Sequence, residues 1–422
     1  MDSKTYTPEN SDERLVWYSL TWTYAFWLLG AMYFVAPIIG WILFLRMLKR
    51  IILDKKNFSF SFANQCWCFG MLVMLLALVI GHLDFQLGIL KLIKSSIGWA
   101  KGWALIALFP LIGSLNIRPH ILYRATCIVC KHTLIVMPFF FIAWKLNLPA
   151  HLYTSPLRFL GGSGPEYFSV TLYEIDPGSG TPRWRLFTPW APALGMLANM
   201  FYIFATQEKN LRYRWYGYVG SLVMILVSQS RLALACYLIL MAYFCVIRWY
   251  KSPYLYFIAS PVVLLLGIFG VQFIDKIEQT LGAIKAARAG STRVRKHLGD
   301  IAVQRWYNEA FTWGHGIVEK GPHLVEYMPI GTHHTWYGLL FVKGIVGAIS
   351  LAIPFLVSFG ILIRYIHQSS TIQVALAFLV QLFLYTFGEN LETLAYLYWP
   401  GLIILGVAFK EIEHNKSKTH HP

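Results

Sequence analysis

The chain has 422 residues, of which 57% are hydrophobic and only 13% are charged. Soluble proteins carry roughly 25% charged residues on average, so this composition argues against a soluble multidomain enzyme, a disordered chain and a secreted disulfide scaffold. The formal net charge is +16 at pH 7. In a membrane protein, such an excess first indicates Lys- and Arg-rich cytoplasmic loops rather than a nucleic-acid-binding surface. The composition therefore predicts a polytopic membrane protein.

Apolar blocks recur along the whole chain. A helix needs about 20 apolar residues to cross a bilayer, and the blocks predict eleven such spans. They lie near residues 22–45, 65–83, 98–116, 123–143, 189–206, 213–229, 232–248, 254–273, 335–365, 371–388 and 395–411. The apolar stretch 15–45 is long enough to hold a short hairpin, which would raise the number to twelve. Because no internal repeat or linker divides the chain, residues 1–422 are predicted to form one all-α integral membrane domain.

Clusters of basic residues all fall at one end of these spans. They occur at 46–56, Arg118 with Arg124, 207–214, 248–251, 364–368 and the C-terminal tail. The positive-inside rule assigns that end to the cytoplasm. Two long loops, about 145–188 and 274–334, then face the external side, and an odd number of spans places the N-terminus there as well.

Two further patterns bear on cofactors. Cys127 and Cys130 form a CxxC, but all six cysteines lie in or beside apolar blocks and no second ligand pair accompanies the motif. We interpret them as small buried residues rather than as a metal or redox site. The chain also has no Gly-rich loop ending in Gly-Lys-Ser/Thr, the pattern typical of ATP binding. No cofactor is therefore expected.

The second external loop is more basic than its location explains. From Lys285 to Arg305 it carries six basic residues against one acid, Asp300. Positive charge on the external side opposes the bias that orients membrane helices. An anion-binding site is therefore the favoured interpretation, and a solvated amphipathic surface is the alternative.

A helix with an N-cap at Ser291 is predicted within this loop, and it is partly apolar. Its apolar residues share one face at a period of 3.6 residues; they are Val294, Leu298, Ile301 and Ala302. Arg305 lies in the middle of that face, Arg295 at its edge and Arg293 opposite to it. A buried arginine needs a partner, and its planar guanidinium suits a diphosphate because it donates two parallel hydrogen bonds.

Isolated arginines also precede two predicted spans on the external side. Arg231 follows Ser-Gln-Ser and has no adjacent acid, which favours an inward-facing polar site over an interfacial anchor. Arg183 and Arg185 flank Trp184. For these two arginines, an anion site and an interfacial anchor stay open as alternatives.

Two histidines, His333 and His334, lie where the second loop re-enters the membrane. A neutral imidazole can accept the proton of a hydroxyl at neutral pH, so one of them is a candidate general base. Ordinary interfacial histidines are one alternative. A metal pair is another, but adjacent histidines on a helix do not easily reach one ion, and no HExxH-like spacing is present. No metal site is therefore predicted.

These residues point to one class of chemistry. Arginines would hold an anionic leaving group, and a histidine would deprotonate an acceptor hydroxyl. Since no nucleotide-binding loop supplies energy, the donor must arrive already activated. Outside the cytoplasmic membrane, such donors are sugars linked to lipid diphosphates, so transfer of a glycan from such a lipid is the predicted activity.

The motif around His333 resembles that of the O-antigen ligase/polymerase superfamily of bacterial membrane glycan transferases. The spacing of the family's histidine motif is matched here: His333 and His334 are followed by nine residues and then by Gly344-Ile-Val-Gly347. This resemblance implies that His333 is the catalytic base, with His334 as a secondary candidate.

Three other segments are similar to the same family. SQSRLA resembles its polar-Ser-Arg span start, and the helix that begins at Arg295 and leads to FTWGHG resembles its Arg-initiated helix. RLFTPWAPALG is a looser match. Together with the helical pattern, these matches give the predicted diphosphate-binding set, which is Arg231, Arg295, Arg305 and Arg185, with Arg293 as a secondary candidate.

The resemblance implies a helical membrane fold of about twelve spans and an inverting, metal-independent transfer. The donor would be an undecaprenyl-diphosphate-linked glycan, and the site would face the periplasm of the bacterial inner membrane. The acceptor would be a glycolipid, another lipid-linked repeat unit or a protein, and the histidine motif favours a ligase over a repeat-unit polymerase. A polysaccharide-lipid transporter is the alternative from a different class, which broken or repeated helices would support.

Overall fold

The computed structural model describes most of the chain. The described residues are 6–55, 58, 60–162, 164–176, 180–250, 252–254, 257, 260, 261, 263–265, 267–269, 276 and 289–419. Half of the predicted span near 254–273 lies outside them, as do Lys285 and Arg288 of the basic segment.

The described chain is mostly α-helical. Its helices are α1 Ser11–Thr21, α2 Thr23–Leu28, α3 Met32–Ile52, α4 Phe62–Asp84, α5 Ile89–Lys101, α6 Trp103–Ile112, α7 Pro119–Lys145, α8 Ala191–Ala205, α9 Leu211–Ser228, α10 Arg231–Trp249, α11 Ala289–Glu309, α12 Thr335–Arg364, α13 Ser370–Tyr385 and α14 Leu391–Thr419. The loop between α7 and α8 adds two small antiparallel pairs. They are formed by β1 His151–Thr154 with β2 Ser169–Thr171, and by β3 Glu174–Ile175 with β4 Pro182–Arg183.

Among the described residues, six segments are long and apolar enough to cross a membrane. They are Phe62–Asp84, Ile89–Ile112, Pro119–Lys145, Arg231–Trp249, Thr335–Arg364 and Leu391–Ser417. The last of these is 89% buried and therefore lies at the centre of the bundle, whereas Arg231–Trp249 is 17% buried and lies at its edge. Outward faces carry exposed leucines such as Leu72, Leu238 and Leu356, as expected for helices that face lipid. The fold class is thus an all-α membrane protein.

The first apolar stretch is a hairpin. The chain turns back at Gly30, which has φ +63°, a conformation that favours glycine. As a result α1 and α3 lie side by side, and the Asp12 carboxylate pairs with Arg46 at 3.2 Å and with Arg50 at 2.7 Å. The N-terminal segment therefore lies at the same end as these arginines, which differs from the location that eleven spans would give it.

The bundle has two chemically different ends. At one of them, which we call the basic end, arginines pair with acids of other segments: Arg118 binds Glu13 at 2.7 Å, and Arg124 binds Glu208 at 2.7 Å. The opposite end, which we call the loop end, carries the loops 146–190 and 310–334 and the turns 229–230 and 386–390. All candidate site residues described below lie at the loop end.

Candidate functional site

His333 lies in the turn just before α12. Its backbone φ of +62° is unusual for a residue with a side chain, and such conformations cost about 1–3 kcal/mol and cluster at functional sites. The side chain is half-buried. Burial, together with the positive charge of Arg295, lowers the pKa of the imidazole to about 4. His333 is therefore a neutral imidazole at neutral pH, the form that can accept a proton.

Arg295 lies on α11 with an exposed side chain. Its charge acts on two groups, the imidazole of His333 and the carboxyl of Glu389. Among the described residues, Arg295 forms no ion pair within salt-bridge distance, so its guanidinium is available to an anion from outside the chain. The arginine and the histidine predicted to act together are thus neighbours.

Glu389 is a site residue that the sequence reasoning missed. It lies in the turn between α13 and α14 and is only 3% exposed. One carboxylate oxygen accepts a hydrogen bond from Trp190 Nε1 at 3.0 Å. Burial raises the pKa of this carboxyl to about 7, while the charge of Arg295 acts in the opposite direction. The signal was present, because Glu389 is one of two acids, with Glu392, in the otherwise uncharged stretch LYTFGENLETL.

The neighbouring histidine has a structural role. His334 is the N-cap of α12, and its Nδ1 accepts a hydrogen bond from the Tyr337 backbone N–H at 3.3 Å. Its ring also stacks on the Tyr337 ring, with 3.8 Å between the centroids. These contacts hold the start of α12 beside Glu389, since Thr335 Oγ1 donates to the Glu389 carbonyl at 2.7 Å. Of the two histidines, His333 is the one without such a capping contact in the described structure.

Arg231 begins α10 at the same end. Ser230 is the N-cap of this helix, and its hydroxyl accepts from the Ala233 N–H at 3.3 Å. The next residue, Leu232, packs so closely on Gly388 that a Cβ there would lie 2.6 Å from its side chain. The exposed Arg231 is therefore directly followed by a residue that contacts the turn carrying Glu389.

Arg305 does not join this group. As the helical pattern predicts, it lies on the packed face of α11 and is paired there, with Glu309 at 2.7 Å and Glu319 at 2.6 Å. Hydrogen bonds from Arg305 and then from His315 lower the pKa of Glu309 to about 2. Because two carboxylates of the chain already bind its guanidinium, we do not retain Arg305 as a diphosphate ligand.

Arg185 is likewise an internal residue. It is 6% exposed and donates hydrogen bonds to the Pro189 carbonyl and to Thr171 Oγ1. The Glu174 carboxylate lies 3.3 Å from its Nε. Arg185 thus holds the first long loop together, and neither an anion site nor an interfacial anchor describes it.

The helical pattern of the second loop is confirmed for most positions. Val294, Leu298 and Ala302 are buried, whereas Arg293 is exposed. The helix begins at Ala289 rather than after an N-cap at Ser291. Arg293 has no hydrogen bond or ion pair among the described residues, which makes it a suitable control for Arg295.

Helix α12, which begins directly after the two histidines, is broken at Gly344. Gly344 has φ +62° and ψ −165° inside this helix, a combination that is essentially restricted to glycine. The segment that follows α11 fills the break: Ile345 N–H donates to the Phe311 carbonyl at 2.9 Å, and Gly316 N–H donates to the Val342 carbonyl at 2.9 Å. The released backbone groups are therefore satisfied by residues 311–316.

Gly344→Ala is expected to destabilise the protein strongly. A Cβ at this position would lie 2.2 Å from the Thr312 carbonyl oxygen, and the backbone conformation alone costs about 1–3 kcal/mol for a residue with a side chain. Thermal unfolding of the purified protein measures the effect. Gly360→Ala is the matched control, since it lies in the same helix and has no atom within 4 Å of its added Cβ. Equal transition temperatures for the two variants would contradict the account of the break.

Glu389→Gln is expected to change how stability depends on pH. The raised pKa of Glu389 means that its protonated form stabilises the fold, so the wild type should lose up to about 3 kcal/mol as the pH rises from 4.5 through about 7. The neutral amide cannot titrate, and the variant should be the more stable protein above about pH 7. Thermal unfolding across this range tests the expectation, with Glu326→Gln as an exposed control in the second loop. A wild-type profile that is parallel to that of Glu389→Gln would overturn it.

Among the described residues, no group of three or more His, Cys, Asp or Glu side chains is arranged to hold a metal ion. Cys127 and Cys130 are buried in α7 as free thiols.

Comparison with known proteins adds no relative. No protein-family model matches this sequence, and no curated protein is significantly similar to it.

Proposed function

We propose that the protein is a membrane glycosyltransferase that moves a glycan from an undecaprenyl-diphosphate donor to an acceptor hydroxyl at the loop end. The observation that carries the proposal is the proximity of Arg295 to His333. A neutral base and a cation that forms no ion pair within the described part of the chain are the two groups that such a transfer needs. The family resemblance of the His333 and Arg231 motifs agrees with this assignment.

In this proposal, the arginines bind the leaving group. Arg295 and Arg231 donate charge-assisted hydrogen bonds to the diphosphate, whose negative charge increases as the glycosidic bond breaks. The acceptor oxygen attacks the anomeric carbon from the opposite face, and the diphosphate departs with the bonding electron pair. The configuration at the anomeric carbon is therefore inverted.

His333 supplies the base. Its neutral imidazole takes the proton of the acceptor hydroxyl as the new C–O bond forms. Burial and Arg295 both disfavour the charged imidazolium, so the accepted proton is held weakly and is readily passed on. Glu389, which interacts with Arg295, would orient the guanidinium toward the donor.

The proposal includes a location. If the basic end faces the cytoplasm, as the positive-inside rule suggests, then the loop end faces the periplasm of a bacterial inner membrane. Lipid-diphosphate-linked glycans would be presented there. A lipopolysaccharide core acceptor would make the protein an O-antigen ligase, and a second lipid-linked repeat unit would make it a polymerase.

Transfer in proteoliposomes tests the function. Purified protein is incubated with a lipid-diphosphate glycan and, in parallel, with a lipid A–core acceptor, a second lipid-linked unit and an acceptor peptide. We expect product with one acceptor, and its identity separates ligase from polymerase. The reaction should survive excess EDTA, whereas loss of product with EDTA would contradict the metal-independent mechanism.

Transport of the lipid-linked glycan is the second candidate. The observation that favours it is the break of α12 at Gly344, because transporters often build their binding sites at discontinuous helices. A fluorescent lipid-diphosphate glycan that crosses the vesicle bilayer with its glycosidic bond intact would support transport. Cleavage of that bond on addition of an acceptor would support the transferase.

A further inference from the structure

A cavity of about 40 Å³ lies directly beneath the candidate site. Its wall includes Thr332 and Thr335, which flank the two histidines, and Asn390, which follows Glu389. Deeper in the bundle, Lys343 and Glu392 face each other across it. The cavity therefore joins the turn regions of the site to two ionisable side chains of the membrane-spanning helices.

Lys343 is a charged residue in an unusual place, since it is buried within an apolar helix. It belongs to the apolar helix α12, directly before the break at Gly344, and is only 3% exposed. Within the described part of the chain, its ammonium forms neither an ion pair nor a hydrogen bond. A buried ammonium without a partner costs several kcal/mol. The cavity beside Lys343 must therefore provide the hydrogen-bond acceptors that the protein does not.

The opposite wall carries matching acceptors. The Asn390 Oδ1 atom is buried and finds no donor among the described residues. Glu392 interacts electrostatically with Lys343, yet no contact shorter than salt-bridge distance joins them in the described structure. A site for a water molecule needs about 10–15 Å³ and two to four polar partners. The cavity thus has room for about three waters among these groups and the Trp103 indole N–H, a buried donor that also lines it and finds no acceptor among the described residues.

We propose that this cavity is a hydrated proton-binding site in which water molecules connect Lys343, Glu392 and Asn390. One proton is shared by the pair: the N–H bond of the ammonium breaks, the proton passes through water, and an O–H bond forms on the carboxylate. The products are a neutral amine and a neutral carboxylic acid, so net charge is unchanged. Neutral partners avoid the cost of two buried charges that do not touch. This inference does not depend on the reaction proposed above.

The other titratable groups near the cavity face elsewhere. His315, on the segment that fills the helix break, has its ring nitrogens on the Phe341 carbonyl and on Glu309. His82 of α4 binds the Leu78 carbonyl and Ser95. Lys101, beside Gly102 and Glu392, lies over the Tyr33 ring instead. Lys343 and Glu392 are therefore the pair that shares the proton.

Infrared spectroscopy of the full-length protein in lipid tests the proposal. The measurement uses the Glu389→Gln background, which removes the nearby carboxyl of Glu389, whose pKa is raised by burial to about 7. We expect a carboxylic-acid C=O band that shifts in D2O, disappears in Glu392→Gln and changes frequency in Lys343→Met. A band that persists in Glu392→Gln, or that fails to exchange with D2O, would overturn the proposal.

A double-mutant cycle of thermal transition temperatures provides a second measurement. It applies also to variants that fold less stably than the wild type. Lys343→Met and Glu392→Gln should each lower the transition temperature, because each leaves a partner unmatched in the cavity. The double variant should be more stable than the sum of the two losses predicts. Lys343→Met combined with Glu389→Gln is the control and should be additive, since Glu389 interacts with Arg295. Additive losses for Lys343 and Glu392 would count against a shared proton.

Discussion

Replacing His333 with Ala is expected to reduce glycan transfer by about 100- to 10,000-fold, the usual contribution of a general base. The variant lacks the only imidazole that the proposed mechanism assigns to the acceptor proton. Donor binding should be retained, because the arginines that bind the diphosphate are unchanged. The measurement is initial transfer rate together with donor affinity in the same proteoliposome preparation.

Two histidine variants control for this result. His323→Ala removes an exposed histidine of the same loop and should leave the transfer rate unchanged. His334→Asn keeps a side chain that can cap α12 and should retain most of the activity. If His333→Ala transfers glycan at the wild-type rate, the assignment of the base is wrong.

Replacing Arg295 with Ala is expected to weaken donor binding by about 10- to 100-fold, because one hydrogen-bonding partner of a charged group is lost. A second effect follows from its location. Arg295 lowers the pKa of His333, so its removal lets that pKa rise toward the ordinary value. The rate requires neutral His333, so it should fall as the pH drops through the pKa of His333, which is about 4 in the wild type. In the variant, this fall should occur at a higher pH.

Arg293→Ala is the matched control for charge and for position on α11. It removes an exposed arginine of the same helix two residues away and should change neither donor affinity nor the pH profile. A purely structural role for Arg295 would lower activity without moving the acid limb. Equal effects of the two variants would show that the helix carries only a diffuse positive charge.

The helices of this protein could largely be predicted from its sequence. Hydrophobic periodicity identified Val294, Leu298 and Ala302 as the buried face of α11, because burial on a helix follows a period of 3.6 residues. The hairpin at Gly30 was visible only as an alternative, since the length of an apolar stretch does not reveal where the chain reverses. That decision depends on tertiary contacts such as the pair of Asp12 with Arg50.

The roles of the arginines were harder to predict from the sequence than the positions of the helices. The sequence indicates that Arg305 and Arg185 need partners, but it does not show that the partners are Glu319 and Glu174 of the same chain. Those pairings close across loops, and the folded path of a loop is not evident from the sequence. Arg295 differs from both because no such carboxylate reaches it in the described structure, and only the coordinates reveal that difference.

Glu389 and the break at Gly344 were missed for different reasons. Glu389 is an acid in an otherwise uncharged stretch that has no basic residue beside it, and it could have been found by the reasoning that was applied to Arg231. The conformation of Gly344 could not, because glycine in a membrane helix usually allows close helix packing. Here it instead allows residues 311–316 to enter α12.

The most direct test of the central claim compares wild type and His333→Ala side by side in one transfer assay. The purified proteins receive a lipid-diphosphate glycan and the competent acceptor, and mass spectrometry and NMR identify the products. We expect that the wild type releases one lipid diphosphate for each glycan transferred, with inverted anomeric configuration, and that His333→Ala forms product at least about 100-fold more slowly. An intact donor with every acceptor, retained configuration, or equal product from both proteins would contradict the claim.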